Sequence, residues 1–308
     1  MIAFIFPGQN SHSVGMGRDL HDGSPRAREV LQAADQAVGG GLLQVMFEGP
    51  EEALTATRNQ QPAIVAHSVA ALTLLRDAGL SPDFVAGHSL GEYSALAAAG
   101  VLGFDQVMPL VRYRGEIMGR AGEIAPGAMA AILGLDAGDV AAVVQRAGEE
   151  GVCVVANYNC PGQVVISGAV EAVERAEQLA REAGAKRAIR LKVSGAFHSP
   201  LMQPAAELLI ERLTQVQLRP AQPPVVANAD AEPHTEPDQI RDALGRQMTS
   251  SVLWEQSVHL MIDRGVDTFV EVGPGTVLSG MVKRISRDVA IRNVGDTASL
   301  QQTLEALA

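Results

Sequence analysis

The chain has 308 residues, is 47% hydrophobic and carries a formal net charge of −11, enough for one large domain with an insert or for two domains. The acidic balance argues against nucleic acid as a partner, and no apolar run approaches the roughly 20 residues that a membrane helix needs. Its two cysteines, Cys153 and Cys160, have no His or acidic neighbour at metal spacing, which points to a reduced cytosolic protein without a bound metal.

In chain order, Ile2–Phe6 reads as a first strand rather than a signal peptide, because no basic region precedes it. A Gly-rich loop runs from Pro7 to Gly17. Ser24–Ala37 reads as a helix, and Gln61–Ala78 as a second that starts near Pro62 and is closed by Gly79. Phe84–Ala86 is a short strand. Asp105–Gly122 is helical, although Pro109 moves its expected start to Val107 or Met108, since proline is tolerated in a first turn. This alternation predicts an α/β fold with a mostly parallel sheet flanked by helices.

Near Pro126-Gly127 the rhythm changes. Strand Ala128–Leu133, helix Asp136–Glu149, strands Val152–Ala156 and Gln163–Ser167, helix Val170–Ala183 and strand Arg187–Val193 give β-α-β-β-α-β. That is the split βαβ plan of a ferredoxin-like unit. The main sheet resumes with Val225–Ala227 and Thr268–Val272.

The strongest chemical signal is Gly87-His88-Ser89-Leu90-Gly91, a G-x-S-x-G set between a strand and an Ala/Leu-rich helix. Glycines at such a bend let two backbones approach and lift the serine hydroxyl to the top of the sheet. The following helix aims its free N–H groups at that point. The alternative is an ordinary strand-to-helix turn whose serine caps the helix. Arg114 shares the apolar stripe of Val107, Leu110, Val111, Ile117 and Met118 on its helix. A guanidinium facing a core needs an anion. An internal acid or a substrate carboxylate would serve, the latter gripped by two hydrogen bonds.

A serine nucleophile needs a base. Of seven histidines, His21 and His234 lie in polar loops, and His67 and His259 in amphipathic helices. His88 adjoins Ser89 and so points away from it, as a packing or hydrogen-bonding residue. His12, in the Gly-rich loop, could line the site. His198 follows the strand ending at Val193, between small residues and Pro200, a good place for a fixed base.

Phe6-Pro7-Gly8-Gln9, Gly87-His88-Ser89-Leu90-Gly91-Glu92-Tyr93-Ser94-Ala95, Arg114-Gly115, Phe197-His198-Ser199 and Glu271-Val272-Gly273-Pro274-Gly275 follow one another here as in the malonyl-CoA:acyl-carrier-protein transacylase family, which the chain resembles from Ile2 to about Arg287. The resemblance implies an α/β-hydrolase-like core, residues 1–125 and 195–308, with a ferredoxin-like subdomain, 126–194. It implies Ser89 as nucleophile, His198 as base, Gln247 as the glutamine that orients the histidine, and Arg114 as the clamp on the malonyl carboxylate. Gln9 and Leu90 would supply the oxyanion-hole N–H groups, and His88 and Phe197 would border the substrate. Leu90 and Phe197 would crowd an α-methyl group. The implied activity moves a malonyl group from malonyl-CoA to the phosphopantetheine thiol of an acyl carrier protein, in cytoplasmic fatty acid biosynthesis. No cofactor is expected, and a monomer is.

The family loop G-Q-G-S-Q reads Gly8-Gln9-Asn10-Ser11-His12 here; Asn tolerates positive φ, so the loop can survive. Two rivals remain. A free-standing acyltransferase of a polyketide synthase would do the same chemistry with another carrier. A serine esterase or thioesterase usually runs Ser, acid, His, with the histidine near the C-terminus, whereas the sequence after His198 is long. Because the carrier is acidic, a local basic face should steer it. Lys283, Arg284 and Arg287, expected on one helix, are the favoured docking cluster. Lys186, Arg190 and Lys192, expected on one face of a strand, would meet CoA phosphates.

Overall fold

The computed structural model describes residues 1–307, apart from the side chains of residues 123 and 124. Ten strands form two sheets. The larger contains β1 (Ile2–Phe6), β2 (Phe84–Gly87), β7 (Val225–Val226), β8 (Pro233–His234), β9 (Thr268–Val272) and β10 (Ala290–Val294), in the order β10-β9-β1-β2-β7-β8. Only β8 runs antiparallel. The smaller is antiparallel throughout, with β3 (Ala128–Leu133), β4 (Cys153–Cys160), β5 (Gln163–Gly168) and β6 (Arg187–Arg190) in the order β4-β5-β3-β6. Renumbered within the unit, that order is 2-3-1-4, the arrangement expected of the split βαβ plan.

The central strands of the large sheet are apolar along their length because both faces are covered by helices. All four residues of β2 are buried, as are Ala3–Phe6 of β1. β1 and β2 pair in register from Ala3↔Phe84 to Phe6↔Gly87, so the loops after both strands open at the same edge. Ligands of open α/β sheets bind beyond that carboxyl edge. The small sheet has its own core, with Ile132, Val164 and Ile166 packed on Val140, Val173 and Leu179 of its two helices. Val252 ties it to the body, exchanging backbone hydrogen bonds with Ala156 and Tyr158 of β4 (2.8 and 2.9 Å).

Two helix starts differ from the sequence reading. One helix spans Thr57–Asp77 with Pro62 inside it, and another spans Phe104–Ile124 with Pro109 inside it. Each proline sits at the sixth residue, so it removes one early intrahelical bond while the turn before it is held from outside. Asn59 Nδ2 donates to Ala53 O (2.8 Å), and the Gln106 amide oxygen accepts from Gly103 N (3.0 Å).

Candidate active site

The turn after β2 is the tightest point of the fold. Ser89 has φ 51°, a left-handed conformation that a residue with a Cβ adopts at a cost of about 1–3 kcal/mol. The flanking glycines make it possible. A Cβ on Gly87 would lie 1.9 Å from the Gly91 carbonyl carbon, and one on Gly91 2.0 Å from Phe6 O. Asn228, just beyond β7, staples the bend. Its Oδ1 accepts from Ser89 N (2.6 Å) and its Nδ2 donates to Gly87 O (2.7 Å). The sequence offered no sign of Asn228 beyond its place after a strand.

His198 also has positive φ, 59°, which turns its ring back toward the elbow. Ser89 Oγ and His198 Nε2 are 2.8 Å apart. On the far side, His198 Nδ1 lies 3.0 Å from the backbone carbonyl of Gln247. A carbonyl only accepts, so Nδ1 carries the proton and Nε2 is free to accept from serine. Gln247 therefore meets the histidine through its main-chain carbonyl. Burial, helped by the Arg114 charge, lowers the His198 pKa to about 3, so the ring is neutral at physiological pH.

Arg114 is fully buried beside this pair. Its Nη2 donates to Ser89 Oγ (3.3 Å) and Gln247 Oε1 (3.0 Å), and Nη1 donates to Gln61 Oε1 (3.0 Å). The guanidinium carbon stands 5.3 Å from the centre of the Tyr93 ring, a cation–π distance. Among the described residues Nε has no hydrogen-bond partner. Among the described residues Arg114 makes no ion pair, so the internal-acid alternative fails. The buried carboxyl whose charge Arg114 feels is that of Glu92, whose pKa burial raises to about 7. The result is a desolvated cation held by neutral acceptors, with donors to spare for an anion.

Ser89, His198, His88, Gln9 and Phe197 line one cavity of about 240 Å³ between the two sheets. The small sheet contributes an apolar wall of Met129, Ala131 and Val165, with Asn157 and Asn159 beside it. His88 turns away from Ser89, as its position in the bend requires. Its Nε2 meets Asn159 Oδ1 at 2.8 Å, and its ring packs on Trp254. The backbone N–H groups of Gln9 and Leu90 have no acceptor among the described residues. Asn10 takes φ 69°, so asparagine fills the left-handed position where glycine was expected. The Leu90 side chain is buried and lies outside the cavity lining, so of the two residues expected to crowd an α-methyl group Phe197 lines the cavity and Leu90 does not. His12 is also outside the lining. It bonds Gln60 (2.9 Å), which in turn accepts from the Gln9 side chain (2.9 Å), and so buttresses the loop from behind.

The basic clusters are less regular than their spacing suggested. The helix Val277–Ile285 carries exposed Lys283 and Arg284, but it ends before Arg287. Arg284 is occupied by Pro161 O (2.6 Å) and Gln163 Oε1 (3.1 Å). In the other cluster β6 stops at Arg190, which pairs with Glu177 at 2.6 Å. Lys192 lies beyond the strand, so the three residues do not share a strand face. Gln61 and Glu92 were not singled out in the sequence. Glu92 is the one charged residue of its short helix, whereas Gln61 closes the polar run that begins at Thr57, and neither pattern signalled its role.

Residues 3–301 match the family described as acyl transferase domain. The malonyl CoA-acyl carrier protein transacylase of Bacillus subtilis is 47% identical over 307 residues, which cover 99% of this chain and 97% of that protein. Among solved structures, the acyl carrier protein S-malonyltransferase of Vibrio cholerae superposes with a TM-score of 0.95 at 42% identity, covering 98% of this chain and 99% of its own. A malonyl-transacylase solved in complex with a type II PKS acyl-carrier protein gives a TM-score of 0.95 at 41% identity, with 99% of both chains covered. Matched along almost its whole length in sequence and fold, the chain belongs to the malonyl CoA-acyl carrier protein transacylases of the acyl transferase domain family.

Proposed function

We propose that Ser89 carries a malonyl group from malonyl-CoA to the phosphopantetheine thiol of an acyl carrier protein. The observation that carries this reading is the pairing of a 2.8 Å serine–histidine contact with an unneutralised guanidinium 3.3 Å from the same Oγ. An acyl group that ends in a carboxylate suits both. His198 Nε2 takes the hydroxyl proton as Oγ attacks the thioester carbonyl. Backbone N–H groups of Gln9 and Leu90 hold the oxyanion, worth roughly 3–4 kcal/mol per donor. CoA leaves as the thiol, taking the proton from His198. The carrier thiol then gives its proton to His198 and attacks the ester, and Ser89 recovers its hydroxyl proton from the histidine.

The acyl-enzyme must outlast water. Met129, Ala131 and Val165 offer water little hydrogen bonding along the cavity, and the carboxylate held by Arg114 keeps the ester in one pose. Exposed Lys283 and Arg287, just beyond the cavity residues Leu278 and Met281, suit an acidic carrier. The reaction belongs to fatty acid assembly in the cytoplasm. Incubation with malonyl-CoA is expected to add one malonyl mass to the protein, at Ser89, and none to Ser89→Ala. Labelling that survives in Ser89→Ala contradicts the assignment.

A further inference from the structure

We propose that Glu92 is a positioning residue, whose buried carboxylate sets both the Ser89 elbow and the orientation of the Gln247 amide that faces Arg114. The proposal rests on the reading of Arg114 as the carboxylate-binding group. Glu92 Oε2 accepts two hydrogen bonds, from Gln247 Nε2 (2.9 Å) and from Asn228 N (3.0 Å). Those two residues hold the two polar backbone groups of the nucleophile. Gln247 Nε2 also donates to Ser89 O (3.0 Å), and Asn228 Oδ1 accepts from Ser89 N (2.6 Å). One oxygen, 2% exposed as part of its residue, is thus the common anchor of both clamps on the strained serine.

The same contact decides which way round the Gln247 amide sits. A primary amide has a donor end and an acceptor end of nearly equal shape. Its oxygen meets Arg114 Nη2 (3.0 Å) and its nitrogen meets Glu92. Turned over, the NH2 would face a guanidinium that only donates, and the carbonyl would face both the Glu92 carboxylate and the Ser89 carbonyl. Three mismatches in a dry site are costly. Without Glu92 one of them disappears, and the Gln247 oxygen is held less firmly toward Arg114. Glu92 acts here through reach more than charge. It makes no ion pair with Arg114 among the described residues, and burial pushes its carboxyl up to about 7, where the neutral acid still presents an oxygen.

Three variants separate reach from charge. Glu92→Gln keeps the acceptor oxygen at the same distance and removes the charge. Glu92→Asp keeps the charge and withdraws the oxygen by one methylene. Glu92→Ala removes both. The readout is the ratio of kcat/KM for malonyl-CoA to that for acetyl-CoA, on variants whose thermal melts show folded protein. Glu92→Asp and Glu92→Ala are expected to lower the ratio by about tenfold or more, since small displacements in a positioned site cost up to about 100-fold. Glu92→Gln is expected to recover most of it. If Glu92→Ala fails to fold, the Asp and Gln variants decide. A selective wild type matched by Glu92→Asp, or a Glu92→Gln variant worse than Glu92→Asp, overturns the proposal. A wild type that transfers acetyl as readily as malonyl overturns the Arg114 reading and this proposal with it.

Discussion

The two sheets of this molecule solve opposite problems. At the carboxyl edge of the parallel sheet three non-glycine site residues, Asn10, Ser89 and His198, are held at positive φ, a guanidinium is buried without a counter-ion among the described residues, and neighbouring backbones approach so closely that two glycines are obligatory. The antiparallel sheet has an ordinary core of Ile, Val and Leu packed on two amphipathic helices, and it lends the cavity an apolar wall and two asparagines. Strain and unpaired charge gather where chemistry is done, and the relaxed insert shapes and dries the space beside it. The surrounding rigid strands sustain that strain.

A Gly→Ala substitution made in each region should have opposite effects. Gly87→Ala places a methyl 1.9 Å from Gly91 and is expected to reduce malonyl labelling of Ser89 by at least about 100-fold. Gly138→Ala, in the insert helix Ala137–Ala147, would meet only Asp136 Oδ1 at 3.9 Å. It is expected to leave labelling intact and to stabilise by about 0.5–1 kcal/mol. Mass spectrometry and urea melts read the two effects.

Truncating the insert core sharpens the contrast from the other side. Ile166→Ala, at a fully buried position, is expected to cost about 2–5 kcal/mol of stability. The labelling rate per folded molecule should change little.

The buried ionisable groups give pH signatures of opposite sign. Burial lowers His198 to about 3 and His67 to about 4, from 6.5. Their contribution to stability is complete above 6.5 and is lost as pH falls through those folded values. Glu92 is raised from 4.5 to about 7. Its contribution is complete below 4.5 and is lost as pH rises through 7. The stability of Glu92→Gln relative to wild type is therefore expected to improve by up to about 3 kcal/mol between pH 4.5 and 8, since each tenfold change in proton affinity on folding is worth about 1.36 kcal/mol. Urea melts across that range check the sign. A variant that loses stability relative to wild type between pH 4.5 and pH 8 contradicts it.

The smallest expected effect lies on the rim. Lys283→Glu with Arg287→Glu should raise the KM for carrier protein severalfold, and less so in high salt, because exposed charges are screened beyond about 8 Å at physiological ionic strength. Arg284 is left in place because it holds the Pro161–Gln163 turn.

Much of this was legible in the chain. Ser89 stood in a strand–turn–helix motif, Arg114 on an apolar stripe and His198 in a small-residue loop past a strand. Local pattern carries such signals because element and motif lie within a few residues of one another. Asn228, Gln61 and Glu92 were invisible as site residues, since their roles come from contacts such as Asn228 to Ser89, 139 positions away. Pro62 and Pro109 misled because a proline was read as lying within the first turn, whereas each is the sixth residue of its helix. Arg190 misled because its acidic partners, Glu174 and Glu177, sit on a neighbouring helix.

We propose that buried Arg114 recognises the substrate carboxylate, and single-turnover acylation of Arg114→Ala is the decisive measurement. With malonyl-CoA the rate is expected to fall by an amount of the order of a broken buried charge pair, about 3–5 kcal/mol. With acetyl-CoA it should hold or rise. An equal fall with both thioesters, in a folded variant, would show Arg114 to be structural and would contradict the account.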